Sequence, residues 1–414
     1  MSRDAKATEG PQEASMARRP RMTTRRTFLQ ATGTGAATVA AGGVLFAAAR
    51  GEALPNPQVE LALAGTDGHI ILPNRPGDAP LYIFGFMAVP VGASVSSLMN
   101  TYKNEAQTPS PILAFKQETD IKLTLTNLGL KNRPDLTDSH TIHWHGFRTP
   151  PSVTDGVPEV SIAVPISRQF TYFYRPHEAG TYMYHCHFED VEHVQMGMTG
   201  IVFVRPSMGD KFAYNHASTA FDREFPILFT EFWSLAHDHD EQIQETIWTD
   251  YDPDYWLMNG RVYPQTILEH GDPSLPSQPI SSLVRAAAGD RVLLRLANLG
   301  YEQHAMQLPG IPMRVIGQDA TLLRNGTVDQ SYVTNTLYIG PGEARDVLFT
   351  APPYAAASPG GTDVKGAYNR YFLKNRDAAK LTNAGAPGLG GMATEVRVYA
   401  SLPAPALQPN NTYA

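Results

Sequence analysis

The chain has 414 residues, 18% of them charged and 42% hydrophobic, a balance that fits folded globular material and excludes a disordered chain. Its formal charge is −7; residues 1–53 hold eight basic and four acidic side chains, so removing that net +4 leaves −11, and nothing points to nucleic-acid binding. One cysteine excludes an internal disulfide framework, and 34 glycines with 33 prolines lean towards an all-β protein with many turns.

The N-terminal stretch "RRTFLQATGTGAATVAAGGVLFAAARGEA" pairs Arg25 and Arg26, then runs into weakly apolar sequence broken by glycine. That pattern resembles a twin-arginine export signal, so residues 1–53 are expected to be a cleaved leader and the mature protein to be periplasmic, cell-surface or secreted. No later segment is long and apolar enough to span a bilayer.

After the leader the chain repeats itself. "ILAFKQETDIKLTLTNLGL" (112–130) lies without gaps on "LVRAAAGDRVLLRLANLGY" (283–301), bringing Asn127-Leu128-Gly129 onto Asn298-Leu299-Gly300. Ile121, Leu123 and Leu125 then meet Val292, Leu294 and Leu296, an every-second-residue apolar set that reads as a half-buried strand. Further along, "GMTGIVFV" (197–204) answers "GMATEVRV" (391–398). Two β-sandwich domains are predicted, 54–205 and 221–400, joined by a linker at 206–220 and followed by a flexible tail at 401–414.

Six of the thirteen histidines crowd into "HTIHWHGF" (140–147) and "YHCHFEDVEHVQMGM" (184–198), which also holds the only cysteine. Residues two apart on a strand share a face, so His185 and His187 point one way and Cys186 the other. His143 and His145 likewise share a face, and His140 points oppositely. Two sets follow: His140 and Cys186, joined by His193 and a following methionine, and behind them His143, His145, His185 and His187. A thiolate with two imidazoles and a thioether suits copper in an electron-transfer site. Four imidazoles without sulfur suit copper that binds oxygen species, although zinc or iron could also sit there. A lone buried cysteine is usually inert core. Eight ligand-type residues in the order H-x-x-H-x-H and H-C-H-x(5)-H-x(4)-M are not what chance supplies.

These segments resemble the multicopper oxidase family, which includes the laccases and is built from cupredoxin-type Greek-key β-sandwiches. "HTIHWHG" is similar to the family's first ligand segment and "HCHFEDVEHVQMGM" to its last. "TDGVPEVS" (154–161) resembles an acidic loop whose aspartate, here Asp155, lies near the oxygen site, and "LMNGRVYP" (257–264) resembles the strand opening a following domain. The resemblance implies that His140, Cys186, His193 and Met198 hold type 1 copper, His143 type 2 copper, and His145, His185 and His187 type 3 copper. His193 follows Cys186 by seven positions where laccases commonly have five, and Met198 is preferred to Met196 because the five-residue step from His193 is kept. Two domains with type 1 copper in the first resemble small two-domain oxidases, which assemble as homotrimers with the oxygen cluster between subunits.

The second domain departs from the pattern. With "YEQHAMQ" (301–307) under "HTIHWHG", His304 matches His143 and would be an interface copper ligand, while Met306 replaces His145. With "RYFLKNRD" (370–377) under "MYHCHFED", Phe372, Leu373 and Lys374 replace the His-Cys-His triplet. Three functions remain open. One is a laccase-like oxidase passing electrons from a small-molecule (phenolic) or metal-ion donor to dioxygen, with Met306, His237 or His239 completing the cluster. Another is a two-copper enzyme like the nitrite reductases, and the third a non-enzymatic electron-transfer or copper-binding protein. His237 and His239, in "WSLAHDHDE", read more simply as a solvated acidic loop, and Glu189, Asp190 and Glu192 as either proton relays or exposed loop carboxylates.

Overall fold

Apolar residues at every second position make this chain a succession of strands, which a computed structural model describes for residues 59–148 and 151–405 and for the backbone of Thr412–Tyr413. The expected leader, 1–53, lies outside the described residues, as does half of the expected tail. In chain order the first half gives β1 (Val59–Ile70), β2 (Leu81–Ala88), α1 (Val95–Tyr102), β3 (Ile112–Lys116), β4 (Ile121–Asn127), β5 (His143–His145), β6 (Gln169–Tyr174), β7 (Gly180–His185), α2 (Asp190–Gln195) and β8 (Thr199–Arg205). The second half gives β9 (Arg223–Phe232), α3 (Ser234–Glu241), β10 (Tyr255–Met258), β11 (Val284–Ala287), β12 (Arg291–Asn298), β13 (His304–Gln307) and β14 (Met313–Gln318). It continues, past shorter strands, with β15 (Thr336–Ile339), β16 (Ala344–Thr350), β17 (Gly366–Asn375) and β18 (Ala393–Tyr399).

Sheet β2-β1-β4-β6 faces sheet β3-β8-β7-β5 across a core that includes Leu123, Leu125, Trp144, Tyr184 and Val202. Thr412–Tyr413 pairs antiparallel on β3. Sheet β10-β9-β12-β16-β14 faces sheet β11-β18-β17-β13-β15 across Leu294, Leu296, Met306, Val347 and Leu373. The internal repeat extends to topology: β1 runs parallel to β4 as β9 does to β12, and β3 parallel to β8 as β11 does to β18.

The two sandwiches bury their adjoining faces. In β12, Val292, Leu294 and Leu296 enter the sandwich's own core, while Leu293 and Ala297 pack outward with residues of the first half. Between them Arg295, without exposed surface, lies over the Phe203 ring at 4.7 Å, and Arg205 lies over the same ring at 4.7 Å. Arg295 meets Glu224 at 2.7 Å and Asp346 at 3.4 Å, and Asp346 also accepts from Thr181 Oγ1 and Tyr214 OH at 2.6 Å each. The charges survive burial because each is met by an opposite charge and by hydrogen bonds.

The reading of "WSLAHDHDE" as a solvated loop is corrected. The segment forms helix α3, whose inward face carries Ala236 and a fully buried His237. His237 Nδ1–H donates to the Tyr82 carbonyl at 2.6 Å, its ring rests on Phe232, and burial pushes its pKa down to about 4. Among the described residues no helix is long and apolar enough to cross a membrane.

Arg295→Met should therefore cost about 3–5 kcal/mol, because it leaves Glu224 and Asp346 buried with one partner fewer. Denaturant unfolding of the full chain measures this, and a loss below about 1 kcal/mol would contradict the role given to the seam.

Candidate metal centre

Strand β5 pairs antiparallel with β7, His143 opposite His185 and His145 opposite Met183. β7 ends at His185, so Cys186 begins the turn that leads through α2 to β8, and its N–H donates to the Met198 carbonyl at 3.1 Å. The thiol thus faces the interior of the first sandwich, where His140, Cys186 and His193 have no exposed surface. Cys186 Sγ lies 3.2 Å from His193 Nδ1 and 3.9 Å from His140 Nδ1, and the Thr141 N–H approaches it at 3.5 Å. Met198 is fully buried beside His140: a Cβ on Gly65 would stand 2.8 Å from His140 Cδ2 and 3.2 Å from Met198 Cε. Met196 is buried in the same core and also lines a cavity with Glu192 and Asp240.

Burial holds the His140 imidazole well below its usual pKa, so it is neutral and able to ligate. Burial also acts to lower His193, but charge on Cys186 and the Asp138 carboxylate, 3.5 Å from Nε2, outweigh it and raise the group to about 10. A soft sulfur and two Nδ1 atoms converge on one space, with a backbone N–H directed at the sulfur. That donor set fits copper.

The other histidines collect on the opposite side of the turn. Ring centroids of His143 lie 5.8, 5.2 and 5.1 Å from those of His145, His185 and His187. Three rings are held by carbonyls, which can only accept. His143 Nδ1 donates to Asp155 O at 2.8 Å, His185 Nδ1 to Cys186 O at 2.8 Å, and His145 Nε2 to Gly342 O at 3.1 Å. The remaining nitrogens of these rings carry lone pairs, and each of the three residues has a ring nitrogen within 4.8 Å of one from each of the others. His145 Nδ1 and His185 Nε2 face each other at 3.3 Å with no proton left to share. Two opposed lone pairs repel, and a cation between them removes the conflict, so this group too fits a metal. Burial lowers all three, His185 to about 3, which keeps them neutral near pH 7. His187 stands outside the close trio with its ring stacked on His185 at 5.5 Å. Asp155 contributes its carbonyl to His143, and its carboxylate lies 3.6 Å from the same Nδ1. Gly342 belongs to the second half of the same chain, so this group sits against the seam between the two sandwiches.

The expected placement of His304 is corrected. It pairs with Ile339 as His140 bridges Val164, so it occupies the position of His140 and not that of His143. The ring is fully buried in its own sandwich, with Nε2 3.4 Å from Glu231 and Nδ1 3.3 Å from Asn375, and it has no surface to offer a cluster. Met306 is core, and its partner across the ladder is Asn375. That register extends the His143↔His185 pairing by one, which places Asn375 rather than Leu373 where Cys186 stands. The sequence comparison missed this because setting 301–307 under 140–146 skips ten residues after the Asn-Leu-Gly match, three more than the difference between the loops 130–139 and 301–303 allows. His237 and His239 do not reach the imidazole group either: His237 is buried against Tyr82 and Phe232, and His239 lies in α3 beyond it. Sequence reading also passed over Gly342, since a carbonyl ligand to His145 leaves no side-chain signal.

Two segments match models of the family described as multicopper oxidase, over residues 94–209 and 223–376. Among curated proteins, a laccase of Arabidopsis thaliana, Laccase-5, is 28% identical over 272 residues, covering 64% of this chain and 40% of that protein. A putative laccase of Oryza sativa, laccase-9, is 25% identical over 297 residues, covering 71% and 45%. The chain thus spans less than half the length of these relatives. Among solved structures, a blue copper oxidase from Nitrosomonas europaea aligns with a TM-score of 0.61 at 24% identity, covering 82% of this chain and 86% of that one. A copper nitrite reductase from the same organism aligns with a TM-score of 0.56 at 16% identity, covering 86% and 99%. These likenesses are of fold, and the all-β, cupredoxin-like architecture expected from the resemblance is the one observed.

The depressed imidazoles have a sign that can be measured on metal-free protein. An unfolded histidine takes up a proton near pH 6.5, whereas folded His140, His143, His145 and His185 refuse it until lower pH. Their contribution is present above about pH 6.5 and is lost as pH falls, while His193, raised to about 10, acts in the opposite sense. Stability of the metal-free chain should fall between about pH 7 and about pH 5, and a flat profile would contradict the burial of these rings.

Proposed function

This chain belongs to the multicopper oxidase family, and from that premise we propose that it is an exported copper-dependent oxidoreductase, taking single electrons at the Cys186 group and delivering them to dioxygen at the imidazole group. The observation that carries the reading is the division at one turn: Cys186 faces His140 and His193, while His185, its neighbour, faces His143 and His145. Copper held by thiolate and imidazole exchanges single electrons with little change of geometry, and copper held by imidazoles alone can reduce dioxygen.

The chain's own groups then have distinct tasks. His140, Cys186, His193 and Met198 would hold the electron-accepting metal, and the peptide between His185 and Cys186 would link it to the second group. His143, His145 and His185 would ligate there, with His187 beside them, and Asp155 would orient His143 and stand ready to supply protons. Reduction of dioxygen to two waters takes four electrons and four protons, so four single-electron turns at the Cys186 group serve one oxygen molecule.

On the donor side, His193 Nε2 faces Asp138, and Glu192 lies in the same close group and lines a cavity of about 290 Å³ with Glu189, Glu245 and Asp240, the last paired with Arg133, so that carboxylates outnumber the one cation. Of the two expected donor classes, phenolic and metal-ion, this acidic surround favours a cation. Export by the twin-arginine route and assembly as a homotrimer belong to the proposal and rest on the sequence pattern and the likeness of domain order. Light scattering of the mature protein should give three chains per particle, and a monomer would remove the trimer from this account.

A second reading, a non-enzymatic electron-transfer protein, is favoured by one observation. The second sandwich presents Gln307, Pro309, Lys374 and Arg376, and no histidine, at the positions matching His143, His145, His185 and His187 in the corrected register. Copper content separates the readings: the oxidase requires more than one copper per chain, and the electron-transfer protein requires one. Copper-loaded protein should be intensely blue, with the colour lost in Cys186→Ser, and a colourless wild type would sink the thiolate assignment. Oxygen uptake with a cationic or phenolic donor should fall at least about 100-fold in His143→Ala and in His185→Ala. Wild-type turnover in both would show that oxygen is not reduced there.

A further inference from the structure

The mononuclear group of the first sandwich has a counterpart in the second, hydrogen bond for hydrogen bond. Asn127 accepts from Gly129 N at 2.8 Å and donates to the carbonyls of Asp138 and Val164 at 2.8 and 2.9 Å. Asn298 accepts from Gly300 N at 2.9 Å and donates to the carbonyls of Glu302 and Ile339 at 2.8 and 3.3 Å. Two residues after Asp138 comes His140, and two after Glu302 comes His304. The Cys186 N–H donates to Met198 O at 3.1 Å, and the Asn375 N–H to Met392 O at 2.9 Å. Met198 N–H donates to His193 O at 2.9 Å, and Met392 N–H to Lys380 O at 2.9 Å. Even the ion pairs correspond: His193 with Asp138 at 3.5 Å, Lys380 with Glu302 at 2.7 Å. His140, Cys186, His193 and Met198 are therefore answered by His304, Asn375, Lys380 and Met392.

What differs is the centre. Asn375 Nδ2 lies 3.3 Å from His304 Nδ1 and 3.5 Å from Met392 Sδ. Its Oδ1 accepts from the Asp377 N–H at 3.0 Å, which fixes the carboxamide with its N–H groups turned inward. The carboxamide nitrogen can only donate, so His304 Nδ1 accepts from it as a lone pair and the ring proton sits on Nε2, 3.4 Å from the Glu231 carboxylate. The imidazole and the thioether thus present lone pairs to two N–H bonds, as they would to a cation. His304, Asn375 and Met392 are buried, at 0%, 1% and 0% exposure, so water does not compete.

We infer that the second sandwich holds a closed counterpart of the mononuclear metal site, in which the Asn375 carboxamide takes the place of metal and thiolate, and which a thiolate at position 375 would open to copper or cobalt(II). In the wild type the amide keeps this frame free of metal and confines the thiolate-bound centre to the first sandwich. The inference rests on backbone correspondence and does not depend on the oxygen chemistry proposed above.

The test uses the full chain in a Cys186→Ser background, so that any thiolate–metal signal arises in the second sandwich. Cobalt(II) chloride is titrated into that variant, into the same variant with Asn375→Cys, and into one with Asn375→Cys and Lys380→His. The expected result is one equivalent of cobalt beyond what Cys186→Ser alone takes up, with a sulfur-to-metal band and the visible bands of a tetrahedral site, strongest in the last variant and absent from the first. Folded variants that bind no more cobalt than Cys186→Ser alone would overturn the inference. Should the added cysteine prevent folding, nitrogen NMR of wild-type His304 in its neutral form decides: the tautomer with Nε2 protonated and Nδ1 bare supports it, and the tautomer with Nδ1 protonated overturns it.

Discussion

The pairing of His143 opposite His185, on strands that stop at His185, is the constraint on which the rest of this molecule depends. Because side chains alternate, that register sends His143, His145 and His185 to one side and leaves Cys186 to turn towards His140 and His193 on the other. A slip of one residue would exchange the two sets and put a thiol among the imidazoles. The hydrogen bond from Cys186 to Met198 closes the turn, and α2 between them delivers His193 to the sulfur. The seven-residue step from Cys186 to His193 passes through Glu189 in a left-handed conformation and the helical turn that follows it.

The seam between the sandwiches supplies the second condition. His145 is oriented by a carbonyl of the other half, Gly342, and the position of that loop depends on how β12 and β16 lie against the first sandwich. Arg295, Glu224, Asp346 and Thr181 tie those strands to β7, the strand that ends at the site. A charged cluster buried at an interface is weak evidence of stability, but it fixes one geometry by making every alternative leave a charge unpaired. Here that geometry is what points the Gly342 carbonyl at an imidazole nitrogen.

Much of this was legible in the sequence, for reasons that are local. Alternation along "HTIHWHGF" and "YHCHF" is a property of any strand, so sorting the histidines needed no tertiary knowledge. The match of 112–130 with 283–301 carried the repeat, and the paired asparagines Asn127 and Asn298 do make the same hydrogen bonds. Position by position, the second half was less legible. The loop before His304 is shorter than the loop before His140 by an amount the sequence does not mark, so the comparison misplaced His304 by three residues and the later strand by two, hiding the kinship of Asn375 with Cys186. His237 was hidden in another way: four charged or imidazole neighbours suggest solvent, but one face of α3 is laid against β2 and the polar residues need only occupy the other.

The account holds that one chain carries two metal-competent groups back to back in its first sandwich and a closed, metal-free counterpart in its second. Anomalous diffraction at the copper edge from copper-loaded crystals tests this most directly. The account predicts one peak bounded by Cys186 Sγ, His140 and His193, at least one more among His143, His145 and His185, and none beside Asn375. A missing peak at Cys186, or a peak between His304 and Met392, would contradict it.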